Sequence, residues 1–253
     1  MKLEEFSQDD FERASKRLVR SLTRGKTTSS QPKAILLGGQ SGAGKTTIHR
    51  VKQREFQGNI IIIDGDSYRS FHPNYLDLQE KYGKDSVDYT KVFAGQMVEY
   101  LVDELSKQGY HLLIEGTLRT TEVPRKTAQL LITKGYQVSL ALIATKPELS
   151  YLSTLIRYEE LYTIDPSQAR ATSKEHHDGI VEHLVDNLWE LEKDKLFNQI
   201  QIFQRDQSCV YDSQVDETSA AEVLHECLFG KWSKVEEEML KMSQERLREL
   251  GEV

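Results

Sequence analysis

The run Gly39-Gln40-Ser41-Gly42-Ala43-Gly44-Lys45-Thr46 constrains this chain more than any other stretch. Its Gly-x-x-x-x-Gly-Lys-Thr spacing suits a loop that leaves a buried strand, wraps an anion and enters a helix. The glycines let successive backbone N–H groups turn inward as an anion nest, and the following helix points its positive N-terminus at the same place. Lys45 is then set to reach the β- and γ-phosphates of a nucleoside triphosphate. The Thr46 hydroxyl is the expected magnesium ligand, with Thr47 beside it in the first turn. The flanks agree, with an apolar run at 34–37 before the loop and a helical pattern at 46–56 after it.

Such a loop needs a strand covered on both faces, and the chain supplies several. Short apolar runs without alternation occur at 34–37, 60–63, 112–114, 138–143 and, more weakly, 200–203, as in a parallel sheet buried on both sides. Helical periodicity fills the gaps at 46–56, 91–108, 124–134, 148–161 and 176–196. Strand and helix alternating at this pitch predict βαβ units in a three-layer α/β fold of the P-loop NTPase type, with a mainly parallel sheet. A leading helix is expected from Ser7 to about Leu22, with Ser7 and Asp9 at its start, then a polar connector to residue 33. One kinase domain over 1–253 is the economical reading, with its α/β core at 34–205 and C-terminal helices at 206–253, including 220–229 and 235–250.

Composition excludes several other classes. Forty Asp and Glu against 33 Lys and Arg give a net charge of -7, the opposite of a broad nonspecific nucleic-acid face. No apolar run approaches the roughly 18 residues of a membrane span. Cys209 and Cys227 lack the spacing of a disulfide scaffold or zinc site. The acidic start Met-Lys-Leu-Glu-Glu has no secretory pattern, so a cytoplasmic address is expected.

Ligands of open α/β sheets sit beyond the carboxyl ends of the strands, so polar residues ending an apolar run are natural site candidates. Asp64 and Asp66 end the 60–63 run; Asp66 is read as general base and Asp64 as its structural or outer-sphere partner. Glu115 ends the 112–114 run, with Thr117 and Arg119 on the same rim. Arg157 and Arg170 flank a polar segment, 162–174, that fits a lid bringing positive charge to a transferring phosphoryl group. Adjacent His176 and His177 point in different directions on a helix and are read as surface or cap residues. Thr145-Lys146-Pro147-Glu148 is a faint match to a guanine-recognition motif, with Glu in the place of the base-pairing Asp. These residues alone leave open a kinase of some small-molecule hydroxyl, such as a sugar or antibiotic, and more remotely a nucleotide-dependent switch.

The strings LLGGQSGAGKTT, IIIIDGDSYR, LLIEGTLR, PELSYLSTLIRYEELY and ARATSKEHHD, in this order, resemble the zeta toxin family over nearly the whole chain. The resemblance implies the toxin of a toxin–antitoxin pair, a kinase using ATP and Mg2+ to phosphorylate the 3′-hydroxyl of the sugar in UDP-N-acetylglucosamine, which blocks peptidoglycan synthesis. It implies phosphate and metal handling by Lys45 and Thr46, base action by Asp66 and charge stabilisation by Arg157 and Arg170. It assigns Glu99, Glu115, Thr117, Arg119 and Thr127 to the sugar nucleotide. Its expected partner is a small helical antitoxin that covers the nucleotide site, in a heterotetramer built on an antitoxin dimer, with neither nucleic acid nor membrane involved.

Overall fold

The computed structural model describes residues 2–165 and 169–251. Six strands form one sheet: β1 (Lys33–Gly38), β2 (Ile61–Ile63), β3 (Leu112–Glu115), β4 (Gln137–Ile143), β5 (Gln199–Phe203) and β6 (Cys209–Asp212). Their order is β2-β3-β1-β4-β5-β6, with β6 antiparallel to β5 and every other pair parallel. The mixed α/β class and mainly parallel sheet match the sequence expectation. The antiparallel β6 was not anticipated, so residues 206–253 are not helices alone. Its sequence, Cys-Val-Tyr-Asp, is short and half exposed and gives no apolar run.

Both faces of the sheet are covered, as unalternating apolar strands require. Ala34 and Leu36 of β1 face a core shared with α1 (Gln8–Leu22), α5 (Ser86–Gln108), α6 (Glu122–Thr133), α8 (Lys174–Lys193) and α9 (Ala220–Phe229). Ile35 and Leu37 face a smaller core closed by Ile48 and Val51 of α2 (Lys45–Glu55). Helix α1 starts with a capping box closed by Asp10, not Asp9: the Asp10 N–H donates to Ser7 Oγ at 3.1 Å and the Ser7 N–H to Asp10 Oδ2 at 3.2 Å.

Between β2 and β3 the chain adds α3 (Gly65–Tyr68) and α4 (Tyr75–Tyr82), and α5 begins at Ser86, five residues before the predicted start. At the far end, α10 (Lys234–Glu249) packs on α7 (Pro147–Ile164). Arg246 of α10 forms an ion pair at 3.0 Å with Glu160 of α7. The switch-like motif proves structural. Thr145 Oγ1 donates to the Ala43 carbonyl at 2.8 Å, and the buried Lys146 ammonium donates to the Gly230 carbonyl at 2.7 Å, with Trp232 beside it.

Candidate active site

The loop 39–44 runs from the end of β1 into α2. Gly42 adopts φ +73°, and a Cβ there would lie 2.0 Å from the Ser150 carbonyl in the first turn of α7. Only glycine combines that backbone with that approach. Beneath the loop, Gln40 is fully buried, donating to the Thr145 carbonyl at 2.7 Å and Ser150 Oγ at 3.2 Å. Ser150 Oγ lies 2.8 Å from His177 Nε2, and His177 Nδ1 lies 3.0 Å from Asp178 Oδ1. His177 is therefore buried and supports the loop from below, not the surface or cap residue the sequence suggested. The cap of α8 is Ser173, whose Oγ accepts from the His176 N–H at 3.2 Å. Ser150 and His177 are fully buried while Asp178 is exposed, so the Ser-His contact has no access to a substrate and serves to hold the loop.

The Lys45 ammonium bends back over the loop, donating to the carbonyls of Gly39 at 2.9 Å and Gln40 at 3.2 Å, with Glu115 Oε1 3.7 Å away. Burial lowers the Lys45 pKa, opposed by the negative charges of Glu115 and Asp66. Glu115 stands directly beside the loop because β3 pairs with β1, Leu37 opposite Glu115. His49 Nε2 lies 2.7 Å from Glu115 Oε2. Thr46 is exposed at the mouth, whereas the Thr47 hydroxyl is turned back onto the Gly44 carbonyl at 2.8 Å.

Across the mouth, Asp64 caps α3, accepting from the Asp66 N–H at 3.0 Å and Ser67 Oγ at 2.6 Å. That structural role leaves Asp66 as the carboxylate turned to the cleft. Asp66 accepts from Arg69 Nε at 2.7 Å, one helical turn on, while Arg69 Nη1 is anchored on the Val87 carbonyl at 2.7 Å and Thr90 Oγ1 at 3.0 Å. Burial pushes the Asp66 pKa up, but the adjacent Arg69, then Arg170 and Arg157, outweigh it and hold the carboxyl below its ordinary value. The ionised form is the useful one, so activity present at neutral pH is lost on the acid side only below the usual carboxylate range. Arg69→Met removes the strongest lowering influence, and the acid limb of kcat/KM is expected to move to higher pH. A pH–rate profile with an unchanged limb would detach Asp66 from that limb.

Asp66 and Arg69 line a cavity of about 550 Å³ with Ser41, Arg157, Arg170 and His176. Ser41 of the loop, Asp66, Arg157 and Arg170 thus line one space, whereas Lys45, Thr46, Glu115, Thr117 and Arg119 are not among its lining residues. Arg170 Nε is buried and has no hydrogen-bond partner among the described residues, a donor suited to an anion. Residues 166–168 of the expected lid segment lie outside the described residues. Arg119 is exposed on the rim, and its positive charge helps lower the His176 pKa after burial. The rim itself is held by Asn187 of α8, whose Nδ2 donates to the carbonyls of Leu118 at 2.8 Å and Arg119 at 2.9 Å. That grip sustains Leu118 at φ +57°, a costly backbone for a branched residue. Thr117 is half-buried beside it. Glu99 is exposed on α5, next to Val98, which packs under Gly65, and the Thr127 hydroxyl is bonded to the Val123 carbonyl at 2.9 Å within α6. Neither is among the residues lining the Asp66 cavity.

Residues 18–216 match the family model described as Zeta toxin. The chain belongs to the zeta toxin family. It is similar to Toxin PezT of Streptococcus pneumoniae serotype 4, at 69% identity over 252 residues and all of both chains. It is also similar to Toxin zeta of Streptococcus pyogenes, at 41% identity over 82% of this chain and 72% of that one. Among solved structures, one from the PezAT chromosomal toxin–antitoxin system of Streptococcus pneumoniae superimposes with a TM-score of 0.91 at 65% identity, each chain fully covered. A structure of AvrRxo1-ORF1:-ORF2 with ATP shares the fold at a TM-score of 0.61 and 14% identity, over 96% of this chain and 82% of that one. The zeta toxin assignment makes this chain a toxin-type protein on a kinase-like fold.

Two residues close to the chemistry escaped the sequence reading. Arg69 follows Asp66 at i+3, a helical spacing that could have signalled the pair. Arg205 reaches the loop from the β5–β6 turn and carries no local signal.

Proposed function

We propose that the protein is a kinase that uses ATP and Mg2+ to phosphorylate the 3′-hydroxyl of the N-acetylglucosamine moiety of UDP-N-acetylglucosamine, and that the product stalls peptidoglycan synthesis in the cytoplasm. The observation that carries the reading is the single cavity lined by Ser41 of the phosphate loop together with Asp66, Arg157 and Arg170. A carboxylate facing a phosphate cradle suits transfer to a hydroxyl, and two arginines suit the charge on the transferring oxygens. Asp66 orients the hydroxyl and accepts its proton as the acceptor oxygen bonds to the γ-phosphorus and ADP leaves. A depressed pKa favours a late proton transfer, in keeping with a loose transition state that asks little of a base.

Among the described residues no group of three or more His, Cys, Asp or Glu is arranged to hold a metal ion. Magnesium suits this donor set as a companion of the triphosphate, with the exposed Thr46 hydroxyl as its protein ligand. The acceptor identity, and the roles of Glu99, Glu115, Thr117, Arg119 and Thr127 in binding it, are supported by the family membership. A cognate antitoxin dimer that covers the nucleotide site is the partner supported by the likeness to the PezAT system.

Incubated with ATP, magnesium and UDP-N-acetylglucosamine, the purified protein is expected to yield a sugar nucleotide heavier by one phosphate in mass spectrometry. ATP hydrolysis with the sugar nucleotide unchanged would reject the substrate.

A further inference from the structure

The phosphate loop is held from its outer side by a residue distant in sequence. Arg205 lies in the turn between β5 and β6, where the Gln204 N–H donates to the Ser208 carbonyl at 2.9 Å. Its guanidinium donates to the Gly42 carbonyl through Nη2 and to the Ala43 carbonyl through Nε at 3.2 Å. The same Nη2 donates to Ser153 Oγ at 2.7 Å, one helical turn before Arg157 on α7. Its stem lies against the loop, with Cγ 3.5 Å from the point where a Cβ on Gly44 would stand, and Gly44 has φ +103°.

An anion nest forms only when the peptide planes of the loop turn their N–H groups inward, which sends the carbonyls outward. Outward carbonyls need partners. The Ala43 carbonyl has two, Thr145 Oγ1 at 2.8 Å and Arg205 Nε at 3.2 Å, and Gly42 has Arg205. No carboxylate lies within ion-pair distance of Arg205 among the described residues. Its hydrogen-bond partners are two peptide carbonyls and the Ser153 hydroxyl, all neutral, so its charge adds to the positive potential inside the nest.

We propose that Arg205 is a positioning residue for the nucleotide: it fixes the peptide planes of the phosphate loop and ties the loop to the helix that carries Arg157. The idea rests on the donor half of the proposed function, the binding of a nucleoside di- or triphosphate by the loop, and is independent of the acceptor. Three consequences separate it from a role in folding alone. Nucleotide affinity falls, the KM for ATP rises while that for the acceptor stays, and lysine restores part of the loss by satisfying one carbonyl and returning the charge.

The test is calorimetric titration of the full chain with ADP and with ATP–magnesium, for wild type, Arg205→Ala and Arg205→Lys, each checked for a cooperative thermal transition. Arg205→Ala is expected to weaken both nucleotides at least about tenfold, the scale of losing charged hydrogen bonds to a binding loop, and Arg205→Lys by a smaller factor. Nucleotide affinity within twofold of wild type in folded Arg205→Ala overturns the proposal. If that variant fails to fold, Arg205→Lys decides: wild-type affinity and an unchanged KM for ATP overturn it, and a selective loss of nucleotide supports it. Because the titration contains no acceptor, a wrong acceptor assignment is seen separately, as wild-type nucleotide binding without phosphorylation of the sugar nucleotide.

Discussion

Asp66→Asn is expected to lower kcat by about 10²–10⁴, the range for loss of a general base, while leaving ATP binding within about twofold of wild type. Asparagine keeps an acceptor for Arg69 Nε, which Asp66 now engages at 2.7 Å, so the local geometry survives and the charge does not. Single-turnover measurements with saturating nucleotide isolate the step. Asp66→Ala, expressed without an antitoxin, should let cells grow. Undiminished growth arrest, or a kcat near that of wild type, would strip Asp66 of its role. Because Arg69 already holds the carboxyl below its ordinary pKa, Asp66 is fully ionised near neutrality. Its value therefore lies in aiming the hydroxyl and in accepting a proton late.

Gly42→Ala should act on the other half of the site, and harder than most single methyl additions. The new Cβ would meet the Ser150 carbonyl at 2.0 Å and Thr154 Cγ2 at 2.8 Å, on a backbone at φ +73°. The left-handed conformation alone costs a non-glycine residue about 1–2 kcal/mol. The backbone contact adds to it and can be relieved only by moving the loop away from α7. Displacement of the nest by even an ångström forfeits several N–H contacts at once, and a loss of nucleotide affinity of about 100-fold or more is expected. Gly135→Ala is the control. Gly135 is also left-handed, at φ +83°, but nothing lies within 4 Å of its Cβ position, so stability should drop by the same amount, about 1–2 kcal/mol, and nucleotide affinity not at all. Equal losses in the two variants, measured by titration with ADP, would mean that the close approach of Gly42 to α7 is not what shapes the nest.

The parts legible in the sequence were those with local signatures. Unalternating apolar runs located β1 to β5, and the glycine spacing located the loop. The strand-end rule brought out Asp66 and Glu115. What was hidden depended on residues far apart along the chain. Arg205 meets Gly42 across 163 positions, and Asn187 grips the Leu118 carbonyl across 69. Polar residues of this kind look like any solvated arginine or asparagine until the fold buries them. His177 illustrates the reverse error: a helical His pair averages to surface, yet the twist of α8 sends one of the two beneath the loop to Ser150. Helix α4 and the early start of α5 were missed because residues 72–90 are polar and aromatic, with packing on α5 supplying the order that periodicity did not announce.

Lys146 and α10 together have a consequence in time. The lysine sits one residue before α7 and is anchored on Gly230, while α10 lies along α7 and pins Glu160 through Arg246. The helix that carries Arg157 is thus braced by segments that follow it by more than 60 residues along the chain. A ribosome has released the glycine loop, Asp66, Arg157 and Arg170 before these braces exist, since chains emerge from the N-terminus and pack as their partners appear. The interval between the emergence of Arg170 and the docking of α10 is a window in which every group proposed for the chemistry has been made and the helix that carries Arg157 is still unsupported from that side.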